Sequence, residues 1–233
     1  FGHNPYIVKT IVTSNLQADI ADHYHVAHYE TLTGFKYIGE LITKLGDSAQ
    51  YLAGGEESYG YLVGDLVRDK DAPNSCAFLA EMTAYFKSKG KTVYEVLLEI
   101  YQEFGCYQEK LISLTKKGKA GAEEIQAMMA GLRQNLPTKL GGIEVKEIRD
   151  YQLSQTTDMI TGSKKEITLP KSDVLQFITT DGDVISARPS GTEPKIKFYC
   201  SVKGVLQDKK DYLNLQNILE EKVDRMMKDI VGG

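Results

Sequence analysis

The stretch "YIVKTIVTSNLQADIADHYHVAHYET", Tyr6 to Thr31, changes its hydrophobic period twice. Tyr6–Ser14 is a run rich in Val, Ile and Thr, the composition of a strand. In the next ten residues Leu16, Ile20 and Tyr24 recur every fourth position, which is one face of a helix. "HVAHYET" (His25–Thr31) returns to strand character. A strand, a helix and a second strand in immediate succession predict a βαβ unit, because parallel neighbours require a crossover and a helix is the usual one.

Outward from this unit the alternation continues. "GFKYIGELITKLG" (Gly34–Gly46) reads as a helix closed by its final glycine, and "AQYLAGG" (Ala49–Gly55) as a third strand. Two further helices, in Ala72–Gly90 and Thr92–Gly105, also end in glycine. The expected fold class is therefore α/β, with a layered domain of βαβ type whose sheet is mostly parallel. After "KKGKAGA" (Lys116–Ala122), a Gly/Lys-rich connector, the pattern differs. A helix in "EEIQAMMAGLRQNL" is followed by successive strands in "GGIEVKEIRDYQ", "DVLQFITT", "DVISARP" and "KIKFYCSVKG". A closing amphipathic helix carries Leu215, Leu219, Val223 and Met226 on one face. Grouped strands flanked by helices predict a smaller α+β domain with an antiparallel sheet packed on helices. The expected division is residues 1–117 and 118–233.

With 42% apolar and 26% charged residues and a net charge of −4, the chain has an ordinary globular composition. Its charge gives no support to a nucleic-acid or membrane surface, and no apolar run approaches the ~20 residues that span a bilayer. Cys76, Cys106 and Cys200 are odd in number and widely spaced, the pattern of reduced thiols in a cytoplasmic protein.

Two loops carry chemistry. "GGEESYG" (Gly54–Gly60) follows the third strand, and ligands of open α/β sheets meet the loops at the carboxyl ends of the strands. Its glycines let backbone approach a ligand, Glu56 accepts from paired hydroxyls, and Ser58 donates or accepts. "RPSGTEPK" (Arg188–Lys195) joins two strands with phosphate donors. Arg188 is a planar fork for phosphate oxygens, Ser190 and Thr192 add hydroxyls, and Gly191 permits an inward turn of N–H groups. Lys195 adds a point charge, and Pro189 and Pro194 stiffen the loop.

Together these two motifs resemble the α-D-phosphohexomutases, the phosphoglucomutase and phosphomannomutase group. The likeness extends to "TLTGFKYIGE" (Thr31–Glu40) and "VRDKDA" (Val67–Ala72), and covers only the third and fourth of the family's four domains. It implies a sugar-reading third domain with Glu56, Ser58, Thr33, Gly34 and Lys9 at the substrate. It also implies Lys70 as a general acid or base and a fourth domain in which Arg188, Ser190, Gly191, Thr192 and Lys195 hold phosphate. Lys36 would line the sugar-side loop, and Arg68 would order its surroundings. The phosphoserine, the Mg²⁺ and the glucose 1,6-bisphosphate of the family's reaction belong to the whole enzyme. The expected partners are a phosphosugar and the N-terminal half of the same protein.

Two lookalikes are set aside. "GHNP" (Gly2–Pro5) has glycine where the family's serine stands, and "TTDGDVIS" (Thr179–Ser186) reads as strand, Asp181-Gly182 turn and strand. The imidazoles of "HYHVAH" (His23–His28) span a helix end and a strand, which gives them no shared face. Phosphomannomutase, phosphopentomutase and a non-catalytic sugar-phosphate-binding module remain open as alternatives.

Overall fold

The structure is a computed structural model and describes residues 3–191 and 193–232. Its chain divides into two compact units. The first ends at Gly105 and regains Val205–Lys209, and the second holds Cys106–Gly204 and the chain from Lys210 onward.

In the first unit β1 (Pro5–Thr10), β2 (Ala27–Thr31), β3 (Gln50–Glu56) and β4 (Gly60–Val63) form one sheet in the order β2-β1-β3-β4. β1 runs parallel to both β2 and β3, as the βαβ reading requires, and β4 folds back antiparallel on β3. The crossovers are α1 (Leu16–His23) and α2 (Phe35–Leu45). Tyr6 and Val8 on β1, Tyr51 and Leu62 on the neighbouring strands, and Phe35, Ile38 and Ile42 of α2 make one buried cluster. The side chains at 6 and 8 share a face because strand side chains alternate. α3 (Ala72–Ser88) starts at Asp71, whose side chain accepts the Asn74 N–H at 3.0 Å. α4 (Val93–Phe104) begins with a reciprocal capping box between Thr92 and Glu95.

The sequence pattern assigns no element to Cys106–Thr115, yet these residues form β5, a ten-residue strand. It pairs along its whole length with β12 (Lys195–Gly204), from Cys106↔Gly204 to Thr115↔Lys195. The second unit accordingly starts ahead of the expected boundary at Gly118 and is no smaller than the first. The supposed connector is not one either: α5 runs from Gly118 to Gln134, so most of "KKGKAGA" is helix.

The remaining strands are β6 (Lys139–Leu140), β7 (Ile143–Asp150), β8 (Gln155–Asp158), β9 (Lys164–Glu166), β10 (Leu175–Thr179) and β11 (Val184–Pro189). The sheet order is β5-β12-β11-β10-β7-β8-β9, with β6 on β7, and every pairing is antiparallel. α6 (Tyr212–Val231) packs on β12 and β5. It buries Leu219, Val223, Met226, Met227 and Ile230 with Ile185, Ile196, Phe198 and Val202 of the sheet among the buried apolar residues. Gly204 lets α6 come close, because a Cβ there would stand 2.9 Å from a Leu219 methyl.

Candidate functional site

Three segments of the first unit meet near the carboxyl ends of β2 and β3. The loop after β2 carries Thr33 and Gly34, and Gly34 has φ +125°, a conformation that favours glycine. Its N–H donates to Glu56 Oε1 at 2.7 Å, and Glu56 is 8% exposed. The segment after β4 lies over α2, where a Cβ on Gly39 would meet the Arg68 carbonyl at 2.6 Å. That path delivers Lys70. Its Cδ is 2.7 Å from where a Gly60 Cβ would be, its Nζ stands 5.1 Å from the Phe35 ring centroid, and the same Gly60 position lies 3.6 Å from Glu56 Oε2. Gly34, Phe35, Glu56, Gly60 and Lys70 thus form one neighbourhood, although they come from three separate segments.

Lys70 Nζ is half-exposed and ion-paired with Asp69 at 2.6 Å. The Asp69 carboxyl is held below its ordinary value, first by the Lys70 side-chain hydrogen bond and then by the Lys70 N–H. Ser58 is exposed at the tip of the β3–β4 hairpin. The Thr33 hydroxyl is buried and has no hydrogen-bond partner among the described residues, as is true of Thr31. A buried hydroxyl without a protein partner is open to an incoming polar group. Lys36 turns to the Tyr37 ring at 4.7 Å, and Arg68 Nη1 donates to the carbonyls of Asp65 and Val67.

Lys9 lies on β1, as the sequence reading places it. It is 1% exposed, and its Nζ donates to Glu30 Oε1 at 2.7 Å and to the carbonyls of Thr10 and Thr13 at 3.3 and 3.2 Å. Three protons meet three acceptors, so the ammonium is held inside the unit. The register explains it, since Lys9 and Glu30 are direct partners across β1 and β2.

In the second unit the loop between β11 and β12 closes through Ser190 N–H donating to the Lys195 carbonyl at 2.7 Å. Ser190 and Lys195 are half-buried at its two ends, and Gly191 is exposed. Thr192 lies outside the described residues. Arg188 faces Lys197 directly across the strands, a pairing that places both side chains on one face. Two like charges directly opposite are unfavourable by themselves. Neither has an ion-pair partner among the described residues. Sequence reading missed Lys197; the signal was its period-2 relation to Lys195 and the alternation with buried Ile196 and Phe198.

Among the described residues no three His, Cys, Asp or Glu side chains gather as a metal set. Asp181 and Asp183, in the β10–β11 turn, both pair with Lys222, at 3.2 and 2.7 Å. The Lys222 ammonium sits between the two carboxylates, where a cation would otherwise be held. His23 lies by Glu103 and His28 by Asp22. Of the "GHNP" stretch, Gly2 lies outside the described residues, and Asn4 donates to the Ser48 carbonyl at 3.1 Å.

Residues 2–104 match the domain described as phosphoglucomutase/phosphomannomutase, alpha/beta/alpha domain III, and residues 116–204 match the C-terminal domain of the same family. The phosphoglucomutase of Staphylococcus haemolyticus is 37% identical over 196 residues, covering 84% of this chain and 36% of that protein. That of Staphylococcus saprophyticus is 38% identical over 200 residues, covering 85% and 36%. The chain thus spans little more than a third of the length of these curated relatives. Among solved structures, the open form of pp63/parafusin from Paramecium, described as a phosphoglucomutase, superposes with a TM-score of 0.60. At 21% identity, over 97% of this chain and 38% of that one, this is a likeness of fold. Two consecutive domain matches and the convergent loops lead to one conclusion: the chain belongs to the phosphoglucomutase/phosphomannomutase family and carries its domain III and its C-terminal domain.

Proposed function

We propose that the chain supplies the substrate-reading part of a phosphoglucomutase-type enzyme, an isomerase that interconverts hexose 1-phosphate and hexose 6-phosphate through a sugar bisphosphate. The observation that carries this reading is the junction of Gly34, Glu56 and Lys70, three polar groups from three loops at the ligand end of a parallel sheet. Glu56 with Ser58 and the open Thr33 hydroxyl accepts and donates to sugar hydroxyls. Arg188 and Lys197, with Ser190, Gly191, Thr192 and Lys195, hold the phosphate that is not reacting. Lys70 stabilises charge or carries a proton. A mutase presents each end of its substrate in turn, so its distal cradle needs charge-matched donors rather than a shape fitted to one sugar position.

The phosphoserine, the Mg²⁺ and the bisphosphate activator are assigned to a part of the enzyme outside these 233 residues, the N-terminal half. Mg²⁺ bound there would neutralise charge on the transferring phosphoryl group. The chain by itself then binds without turnover. A reducing, cytoplasmic setting is supported by three free cysteines, two of them buried, and no helix is long and apolar enough to cross a membrane among the described residues.

The test is an NMR titration with glucose 1-phosphate beside inorganic phosphate. The reading expects the sugar phosphate to shift amides at Gly34, Glu56–Gly60 and Arg188–Lys195, and phosphate to shift the last group alone. Mannose 1-phosphate and ribose 1-phosphate, run in parallel, rank the sugars. Turnover by the chain alone would overturn the assignment of the serine to another part, and a null response to both ligands would overturn the binding assignment.

A further inference from the structure

Resting on the sugar-reading role of the β3–β4 hairpin, we infer that Glu57, beside Glu56, is a positioning residue that orients Ser58 by fastening the hairpin tip to the end of β1. Glu57 Oε2 accepts from the Thr13 hydroxyl at 3.1 Å and lies 3.3 Å from the Thr10 hydroxyl, while the two hydroxyls are 2.8 Å apart. Thr10 is 0% and Thr13 8% exposed. Two hydroxyl protons serve three links, and the ionised carboxylate can only accept, so Glu57 sets the direction of the chain.

The anchor itself is rigid. The Thr13 N–H donates to the Thr10 carbonyl at 3.1 Å, and the Val12 N–H reaches the Thr10 hydroxyl at 3.3 Å. Lys9 holds the carbonyls of Thr10 and Thr13 from the other side. The Lys9–Glu30 pair therefore has a purpose in this arrangement: it stiffens the turn to which Glu57 is tied.

The tip needs such a tie. Ser58 is exposed, and Tyr59 is 87% exposed with φ +67°, an unfavourable backbone region for tyrosine. Neither side chain has a partner among the described residues. Glu56 reaches the loop after β2 and Glu57 the turn after β1, so consecutive glutamates moor the tip on two neighbouring strands.

The experiment uses the full 233-residue chain. Backbone ¹⁵N relaxation without ligand is expected to give Ser58 and Tyr59 order parameters near about 0.85 in the parent, falling below about 0.6 in Glu57→Ala. Glu57→Gln keeps an acceptor oxygen and restores them, and Thr13→Val reproduces the loss if the alanine variant does not fold. In titrations, Glu57→Ala weakens glucose 1-phosphate about tenfold and leaves inorganic phosphate binding unchanged. A tip already mobile in the parent, unchanged order in Glu57→Ala and Thr13→Val, or an unchanged sugar-phosphate affinity with a loosened tip would each overturn the inference. A parent chain blind to the sugar phosphate defeats the proposed function instead, and the ligand-free relaxation still decides whether Glu57 holds the tip.

Discussion

The Glu56 carboxylate accepts the Gly34 N–H at 2.7 Å through one oxygen and turns the other toward Gly60 and the stem of Lys70. A hydrogen bond to a charged, buried acceptor contributes about 1.5–3 kcal/mol, and its loss leaves the glycine N–H without its partner. Glu56→Ala is expected to destabilise the first unit by about 2 kcal/mol in urea titrations and to abolish the response to glucose 1-phosphate. Glu56→Gln keeps the acceptor and most of the stability, and binds the sugar more weakly because the charge is gone.

Two glycines of the same neighbourhood separate stability from function. A Cβ at Gly39 meets backbone, the Arg68 carbonyl at 2.6 Å, which cannot move without shifting the whole segment. Gly39→Ala is expected to cost about 1–3 kcal/mol of stability, read from urea midpoints. A Cβ at Gly60 meets the flexible stem of Lys70 at 2.7 Å. Gly60→Ala should leave the melting curve nearly unchanged and displace Lys70, which appears as weakened sugar-phosphate binding.

Arg188 and Lys197 answer differently to substitution because they repel each other when no anion is present. Lys197→Ala is expected to leave the ligand-free chain as stable or up to about 1 kcal/mol more stable, while phosphate affinity falls. Arg188→Lys retains the charge and loses the bidentate fork, so phosphate binding weakens without a change in net charge. Calorimetric titration with phosphate, paired with thermal melts, checks both signs.

Burial pushes the Cys200 thiol up to about 12 from 9.0, and it raises that of Cys106 as well. The native state therefore keeps protons that the unfolded chain releases above pH 9. The native chain then binds more protons than the unfolded one, and stability falls as pH rises through the window from 9 to about 12, by at most ~1.4 kcal/mol per pH unit for Cys200. Tyr51, raised by burial in the first unit, adds to the fall at higher pH. Urea melts across this range measure the slope. At pH 8, iodoacetamide should label the exposed Cys76 and spare Cys106 and Cys200 until the chain unfolds.

Much of the fold is legible because strong local signals agree. The βαβ alternation of Tyr6–Thr31 is periodic, Gly34 and Gly46 bracket α2, and β12 was read with its observed bounds. β5 escapes because it is an edge strand whose outer residues, Leu111 among them at 50% exposed, dilute the alternation. Its strand character comes from pairing with residues far along the chain, which no local window contains. The same reason governs the site. Glu56 and Arg188 are visible as motif members, but the fates of Lys9 and Lys197 depend on cross-strand register, and that of Glu57 on the turn after β1. Period-2 reasoning gives a residue's face and not the neighbour it meets there.

The pairing of Cys106↔Gly204 through Thr115↔Lys195 also fixes an order of events during synthesis. β5 leaves the ribosome long before the strand that will cover its open edge, and meanwhile its N–H and C=O groups stay unpaired. The first unit waits too, since Glu99 and Gln102 of α4 bind Lys209 and the Gln207 carbonyl. Closing such long loops is slow, and unpaired strand edges invite association with other chains. Nascent chains arrested before Lys195 should therefore recruit holdase chaperones at β5, and those released past Lys209 should shed them.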